Sequence, residues 1–203
     1  LNSISVTIDK FLLTKIISDP LIYILYFSLV SLLSLLAIPF VSWPDSNVLI
    51  FASSSTLTWA AGAYLMFWAL KIGAVQRVVP VIGVLTPLIL IVFAQSAKTI
   101  SINESWAAGI LVLGLIFLTL PDFRGRLIRR EFALEISASI LFALSYFLIR
   151  QAFLLDDFLT VFVWSKPILI LLGILIFATP SLRRRLQVKK SNLNLKNKSL
   201  FLF

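Results

Sequence analysis

Six apolar stretches, each long enough to cross a bilayer, constrain this sequence more than any other feature. They lie at about Pro20–Val41, Val48–Leu70, Ala74–Ala94, Ser105–Leu120, Phe132–Phe153 and Phe158–Thr179. A transmembrane helix needs about 20 apolar residues. A hydrophobic fraction of 60% and a mean hydropathy of +1.02 exceed what a soluble core of this size requires. We therefore predict an all-α, polytopic membrane helix bundle.

Both ends of the sequence predict further membrane helices. Leu1–Leu13 is typical of the end of a helix, and Leu200–Phe203 is typical of the first turn of another. The single methionine is Met66, well inside the chain. We therefore expect a fragment that holds about six complete spans and one partial span.

The composition excludes several classes of chemistry. The sequence has no Cys and no His, so disulfides, thiolate metal sites and histidine-based acid–base catalysis are excluded, and we predict no cofactor and no metal. The net charge of +9 is interpreted as loop charge that orients the spans, and we do not expect nucleic-acid binding. The paired carboxylates Asp156-Asp157 fall in a turn without a nearby His, where capping explains them, so we do not expect an enzyme.

The distribution of Lys and Arg predicts the orientation of the spans. Cytoplasmic ends of membrane helices carry an excess of both residues. Among the Lys and Arg residues near span ends, only Lys98 and Arg150 lie on one side of the membrane. The other side, which we predict to be cytoplasmic, receives Lys10, Lys15, Lys71, Arg77, Arg124, Arg126, Arg129, Arg130, Arg183, Arg184, Arg185, Lys189, Lys190, Lys196 and Lys198.

The third complete span is interrupted by helix-breaking residues. Two prolines, Pro80 and Pro87, and two glycines, Gly73 and Gly83, occur within or beside it. Proline removes a backbone donor, and in hydrocarbon the freed acceptor needs a partner from protein or water. The segment is therefore either a broken helix at the edge of a solute pathway or an ordinary kinked helix.

An internal repeat is detectable at low similarity. Residues Ile8–Leu29 align with Leu148–Pro167, with Lys10 on Arg150 and a matching aspartate in each turn. Five spans separate the two copies, so the second copy is inverted with respect to the first. Inverted repeats are typical of secondary transporters, whose substrates bind near the midplane.

These stretches together resemble the drug/metabolite transporter superfamily, and specifically its EamA-type members. The resemblance rests on Tyr64–Lys71, on Arg77–Gly83 with Thr86-Pro87, and on Trp106–Leu120, Ser139–Arg150 and Asp157–Pro167. It implies a ten-helix fold of two inverted five-helix repeats around a central cavity. On that template residues 1–120 form the truncated first repeat, 121–131 a basic cytoplasmic linker, and 132–203 the start of the second repeat.

The sequence departs from the family pattern in two ways. Members often carry a Gly-Glu pair before the fifth helix, where this chain has Ala97-Lys98, so a role for that carboxylate is in doubt. Ten-helix members are usually drawn with both termini in the cytoplasm, whereas the charge distribution here predicts an external N-terminus.

Lys166 is the strongest candidate for a pathway residue. It is the ninth residue of its span, about 12 Å from the span's start at the rise of an α-helix. Burying a cation near the bilayer centre costs about 2.5–3.5 kcal/mol on insertion scales. Lys166 therefore either faces a cavity, which we favour, or extends its side chain toward the outer interface.

Other residues are weaker candidates for the same pathway. The aromatic side chains Tyr64, Tyr146 and Trp164 could wall a cavity or pack in the core. Arg77 is interpreted first as an interfacial anchor. Glu131 and Glu135, one turn apart, are explained by the helix dipole or by pairing of Glu131 with Arg129 and Arg130, with a proton relay through Glu135 as the alternative. The predicted pathway residues are Lys166, Trp164, Tyr146, Tyr64, Arg77, Pro80 and Pro87.

The leading hypothesis is a multi-pass transporter of the plasma (inner) membrane that moves a small metabolite by alternating access. Its predicted partners are a small-molecule substrate and the lipid bilayer. A coupling ion (H⁺ or Na⁺) and a homodimer are left open. The alternative hypothesis is a non-transporting membrane scaffold whose basic stretch, Ser181–Ser199, binds anionic lipid.

Overall fold

The computed structural model describes residues 19–96, 106–107, 109–110, 112–114, 117 and 129–180, with the backbone alone for 94–96. Within these residues the fold is all-α, with six α-helices and one 3-10 helix. The α-helices are α1 (Pro20–Ser31), α2 (Ser46–Ile72), α3 (Val75–Ser96), α4 (Arg129–Leu155), α5 (Phe158–Trp164) and α6 (Pro167–Ala178), and the 3-10 helix Leu32–Phe40 continues α1.

Five helical segments are long and apolar enough to cross a membrane, so the chain is a multi-pass membrane protein. These segments are Pro20–Phe40, Ser46–Ile72, Val75–Phe93, Arg129–Leu155 and Phe158–Ala178. They confirm five of the six complete spans that the sequence predicts. Most of the sixth, Ser105–Leu120, and the partial span Leu1–Leu13 lie outside the described residues.

The two longest helices, α2 and α4, form the centre of the bundle and run antiparallel. Ser55 of α2 meets Ser145 of α4, and Gly62 meets Ala138 and Phe142. A methyl group on Gly62 would lie 3.2 Å from the Phe142 ring, so the glycine permits the close approach. Small residues at such contacts allow strong dispersion contacts between membrane helices.

The small-residue contact line that the sequence predicts on α2 is confirmed at Gly62. The sequence suggests Ser54, Thr58 and Gly62, four residues apart. The Thr58 hydroxyl donates to the backbone carbonyls of Ser54 and Ser55 in its own helix. The hydroxyl that crosses to α4 belongs to Ser55.

The remaining helices surround α2, which contacts all five of the others. Helix α3 packs in parallel against α4, as shown by the Arg77–Glu131 ion pair near one end and the Phe93–Phe147 ring contact near the other. Helices α1 and α6 pack together on the opposite side, where Ser28 donates a 2.7 Å hydrogen bond to the Leu169 carbonyl. Four spans, formed by α1, α2, α4 and the α5–α6 pair, are thereby arranged around a common space.

Candidate functional site: a cavity beside Lys166

A cavity of about 360 Å³ lies between α1, α2, α4 and the junction of α5 with α6. Its walls are apolar and aromatic, with hydroxyl groups and one ammonium group among them. The lining residues are Phe27, Ser31, Ser55, Thr56, Trp59, Ser145, Tyr146, Ile149, Phe153, Phe162, Ser165, Lys166 and Leu169.

Lys166 reaches the cavity because the last span is interrupted at Pro167. Proline cannot donate to the preceding turn, so α5 ends at Trp164 and Pro167 starts α6. The interruption is satisfied locally: the Lys166 N–H donates to the Val163 carbonyl at 3.2 Å, and the Ser165 hydroxyl donates to Phe162 at 2.7 Å. The junction therefore presents Lys166 to the cavity without leaving these two carbonyls unpaired.

The ammonium group of Lys166 lies over an aromatic ring. Its Nζ atom is 4.5 Å from the centroid of the Phe162 ring, within the range of a cation–π contact. Such a contact compensates only part of the cost of removing an ammonium group from water. An anionic group entering the cavity would compensate for more of that cost.

Two serines at the contact of α2 and α4 add hydroxyl groups to the cavity wall. Ser55 donates to the Ser145 backbone carbonyl at 2.9 Å, and the two hydroxyl oxygens lie 3.1 Å apart. Both residues are buried, so this pair also stabilises the helix contact. The cavity wall therefore carries hydroxyl groups as well as the Lys166 residue.

Of the three predicted aromatic residues, Tyr146 lines the cavity and the other two lie elsewhere. Trp164 lies near the junction between the first and second spans, where its indole N–H donates to the Ser42 carbonyl at 3.0 Å. Its ring also packs edge-on against Trp43, with 4.4 Å between the two ring centroids. Tyr64 is half-buried against the cluster of Ile24, Ala60 and Leu169.

The turn that leads into α5 is capped by Asp157. Its carboxylate accepts hydrogen bonds from the hydroxyl and the backbone N–H of Thr160. These bonds favour the ionised form, so they hold the pKa of Asp157 below its ordinary value of 3.8. The capping role that the sequence predicts for this carboxylate is confirmed.

Arg77 lies in a second polar cluster, away from the cavity lining. Its Nε and Nη2 atoms donate to the two carboxylate oxygens of Glu131 at 2.9 and 2.8 Å. Glu131 is fully buried and the Arg77 side chain is 15% exposed. The expected pairing of Glu131 with Arg129 and Arg130 is therefore wrong, since the partner comes from α3.

The two prolines of α3 also lie outside the cavity lining. The helix continues without interruption from Val75 to Ser96, with Pro80 and Pro87 half-buried inside it. The broken-helix interpretation is therefore wrong. The Thr86 hydroxyl is buried and has no hydrogen-bond partner among the described residues.

No cluster of His, Cys, Asp and Glu suited to a metal ion occurs within the described part of the chain. Comparison of the chain with protein-family models, with curated proteins and with solved structures found no match.

Proposed function

We propose that this chain is part of a transporter of the plasma membrane, of the EamA type in the drug/metabolite transporter superfamily. The cavity beside Lys166 would hold the solute, a small metabolite or drug-like molecule, and alternating access would expose it to either side. The observation that carries the proposal is a cation on the wall of a cavity between membrane-spanning helices.

A purely structural role explains Lys166 poorly. The residue is ninth in the 21-residue span Phe158–Ala178, and a lysine needed only for anchoring would be expected near a span end. Its ammonium group instead lies over the Phe162 ring at the cavity. Intramembrane cations that face a cavity commonly mark substrate or ion pathways.

The lining limits the class of solute. Small-molecule sites occupy about 300–1,000 Å³, and about 360 Å³ is near the lower end of that range. Lys166 is the charged residue of the lining, and Tyr146, Trp59 and Phe162 supply aromatic surface. A small carboxylate with an apolar or aromatic part fits this combination.

Access of water to the cavity tests the proposal before any solute is known. The sequence has no cysteine, so single cysteines can be introduced into an unreactive background. Tyr146→Cys places a thiol at the cavity, and Leu175→Cys places one on an outward, 64% exposed position of α6. A membrane-impermeant maleimide should label the first in intact membranes and leave the second, which faces lipid, unlabelled.

Transport is tested with the full-length protein in liposomes. The probes are radiolabelled aromatic and aliphatic carboxylates and their uncharged amides. We expect uptake of at least one carboxylate and not of its amide. Lys166→Met should reduce that uptake about tenfold or more, because a charge-assisted hydrogen bond contributes about 1.5–3 kcal/mol. Lys71→Met, at the end of α2, is the matched control and should retain uptake. An unlabelled cavity and no uptake would favour the scaffold alternative.

A further inference from the structure

Glu135 is a buried acid that the proposed solute site does not use. It lies one turn after Glu131 on α4, and both side chains are fully buried. Neither carboxyl oxygen of Glu135 has a hydrogen-bond partner among the described residues, whereas Glu131 accepts two hydrogen bonds from Arg77. The two neighbouring acids therefore differ, because only Glu131 has hydrogen-bond donors among the described residues.

The helix dipole does not account for Glu135. Its effect fades beyond the first turn, and Glu135 is the seventh residue of α4. An ionised carboxylate without donors is so costly in a dry interior that the group takes a proton instead. Packing alone would be served better by an apolar side chain of similar size.

The charged neighbours of Glu135 come from two helices. Glu131 belongs to the same helix, where side chains four residues apart have Cβ atoms about 5–6 Å apart, and Arg77 approaches from α3. From α2, Leu70 and Phe67 belong to the surrounding apolar cluster, and the Lys71 ammonium lies over the Trp68 ring at 4.8 Å. Arg77 is thus the cation for which the two acids can compete.

We propose that Glu135 is a reversible proton-binding site and that Arg77 is shared between it and Glu131. In the described conformation Glu135 holds the proton and Arg77 binds Glu131. When the proton leaves Glu135 to water, the new carboxylate attracts Arg77 and draws the start of α3 along α4. Proton binding is thereby linked to the packing of α3 on α4.

The coupling role of this proton rests on the proposed transport function, whereas proton binding itself does not. If the chain transports a solute, the proton taken up by Glu135 is the coupling ion. The two claims therefore need separate measurements.

Infrared spectroscopy of the full-length protein in lipid nanodiscs tests proton binding directly. At neutral pH the parent should show the C=O stretch of a protonated carboxylic acid, and Glu135→Gln should lack it. Gln has nearly the shape of the protonated acid, so this variant should keep the parent's resistance to denaturant. A parent spectrum without the band, or a band that persists in Glu135→Gln, would overturn the proposal.

Competition for Arg77 is tested with two further variants. In Glu131→Gln the arginine loses its carboxylate, so Glu135 should give up its proton to pair with it and the band should disappear. In the double variant Arg77→Gln with Glu131→Gln the shared arginine is gone, and the band should return. Persistence of the band in Glu131→Gln would show that Arg77 is not shared.

A transport measurement separates the coupling role. In liposomes with an imposed pH gradient, Glu135→Gln should lose the acceleration of carboxylate uptake by protons but keep exchange of labelled for unlabelled carboxylate. If the infrared band behaves as expected and no uptake occurs, the transport function fails and the proton site stands. If uptake occurs and the gradient accelerates the variant as it does the parent, the coupling role fails.

Discussion

Gly73 should be replaceable by alanine only at a large cost in stability. A Cβ atom at this position would clash with Oε1 of Glu131, and it would lie 2.6 Å from Glu131 Cδ and 2.8 Å from Val78 Cγ2. The backbone torsion φ of −106° suits any residue, so the cost arises from contacts and not from backbone strain. Alanine must therefore displace either the Glu131 carboxylate or the turn between α2 and α3.

The size of the effect follows from which group yields. Breaking a buried ion pair costs about 3–5 kcal/mol, and overpacking with a shifted backbone costs about 1–3 kcal/mol. Since Arg77 keeps some exposure, 15% of its side chain, we expect a loss near the lower value for the ion pair, about 3 kcal/mol. In a Glu131→Ala background most of the clash is gone, and the same glycine substitution should cost only about 1 kcal/mol, through Val78.

The assay is unfolding of the protein in mixed micelles with increasing SDS, followed by far-ultraviolet circular dichroism. Gly83→Ala is the matched control, because a Cβ atom there meets nothing within 4 Å. That control should gain about 0.5–1 kcal/mol from helix propensity. If the two alanine variants unfold at the same SDS fraction, the close approach of Gly73 to Glu131 is refuted.

Three further predictions concern other contacts. Ser55→Ala removes a hydroxyl that donates to Ser145 and should cost about 0.6 kcal/mol, a typical value for membrane helices, in the same unfolding assay; a cost near zero would contradict it. Gly173→Ala places a Cβ atom 2.5 Å from the Cβ of the facing serine of α1, so it should cost about 1–3 kcal/mol, and changing that serine to glycine should restore most of the loss. Thr160→Val removes the main cause of the lowered pKa of Asp157, so carboxyl NMR should find that pKa nearer 3.8. Because the pKa is lowered in the folded protein, the ionised carboxylate stabilises the fold above pH 3.8, and this stabilisation is lost as the pH falls through the folded pKa. In Thr160→Val the fall in stability over this pH range should be smaller.

The positions of the spans could be predicted from hydropathy because the bilayer requires long apolar segments. The predicted span Val48–Leu70 corresponds to Ser46–Ile72, and Phe132–Phe153 corresponds to Arg129–Leu155. The observed helices extend by a turn or less beyond the apolar residues, since backbone hydrogen bonds favour continuing the helix into the polar ends. Lys166 was also identifiable, because an isolated cation within a span requires an explanation.

The partners of the polar residues could not be predicted from hydropathy. The Arg77–Glu131 pair joins residues 54 positions apart, and local spacing favoured the arginines beside Glu131 in sequence. In the structure, buried residues of α4 recur with alternating steps of four and three residues through Glu131, Glu135, Ala138, Phe142 and Ser145. That pattern places both acids on the helix face that packs against neighbours, but it does not identify the helix that supplies the cation.

The prolines show why a break in a helix depends on the neighbouring groups as well as on the proline. At Pro167 the Ser165 hydroxyl and the Lys166 N–H supply donors to the carbonyls of the preceding turn, so the helix can end inside the bundle. Near Pro80 the preceding residues Val78 and Val79 carry no side-chain donor, and α3 remains continuous. In a membrane each freed carbonyl needs a partner, and at Pro167 both partners come from the adjacent turn. Ser165 therefore stabilises the interruption at Pro167 that presents Lys166 to the cavity.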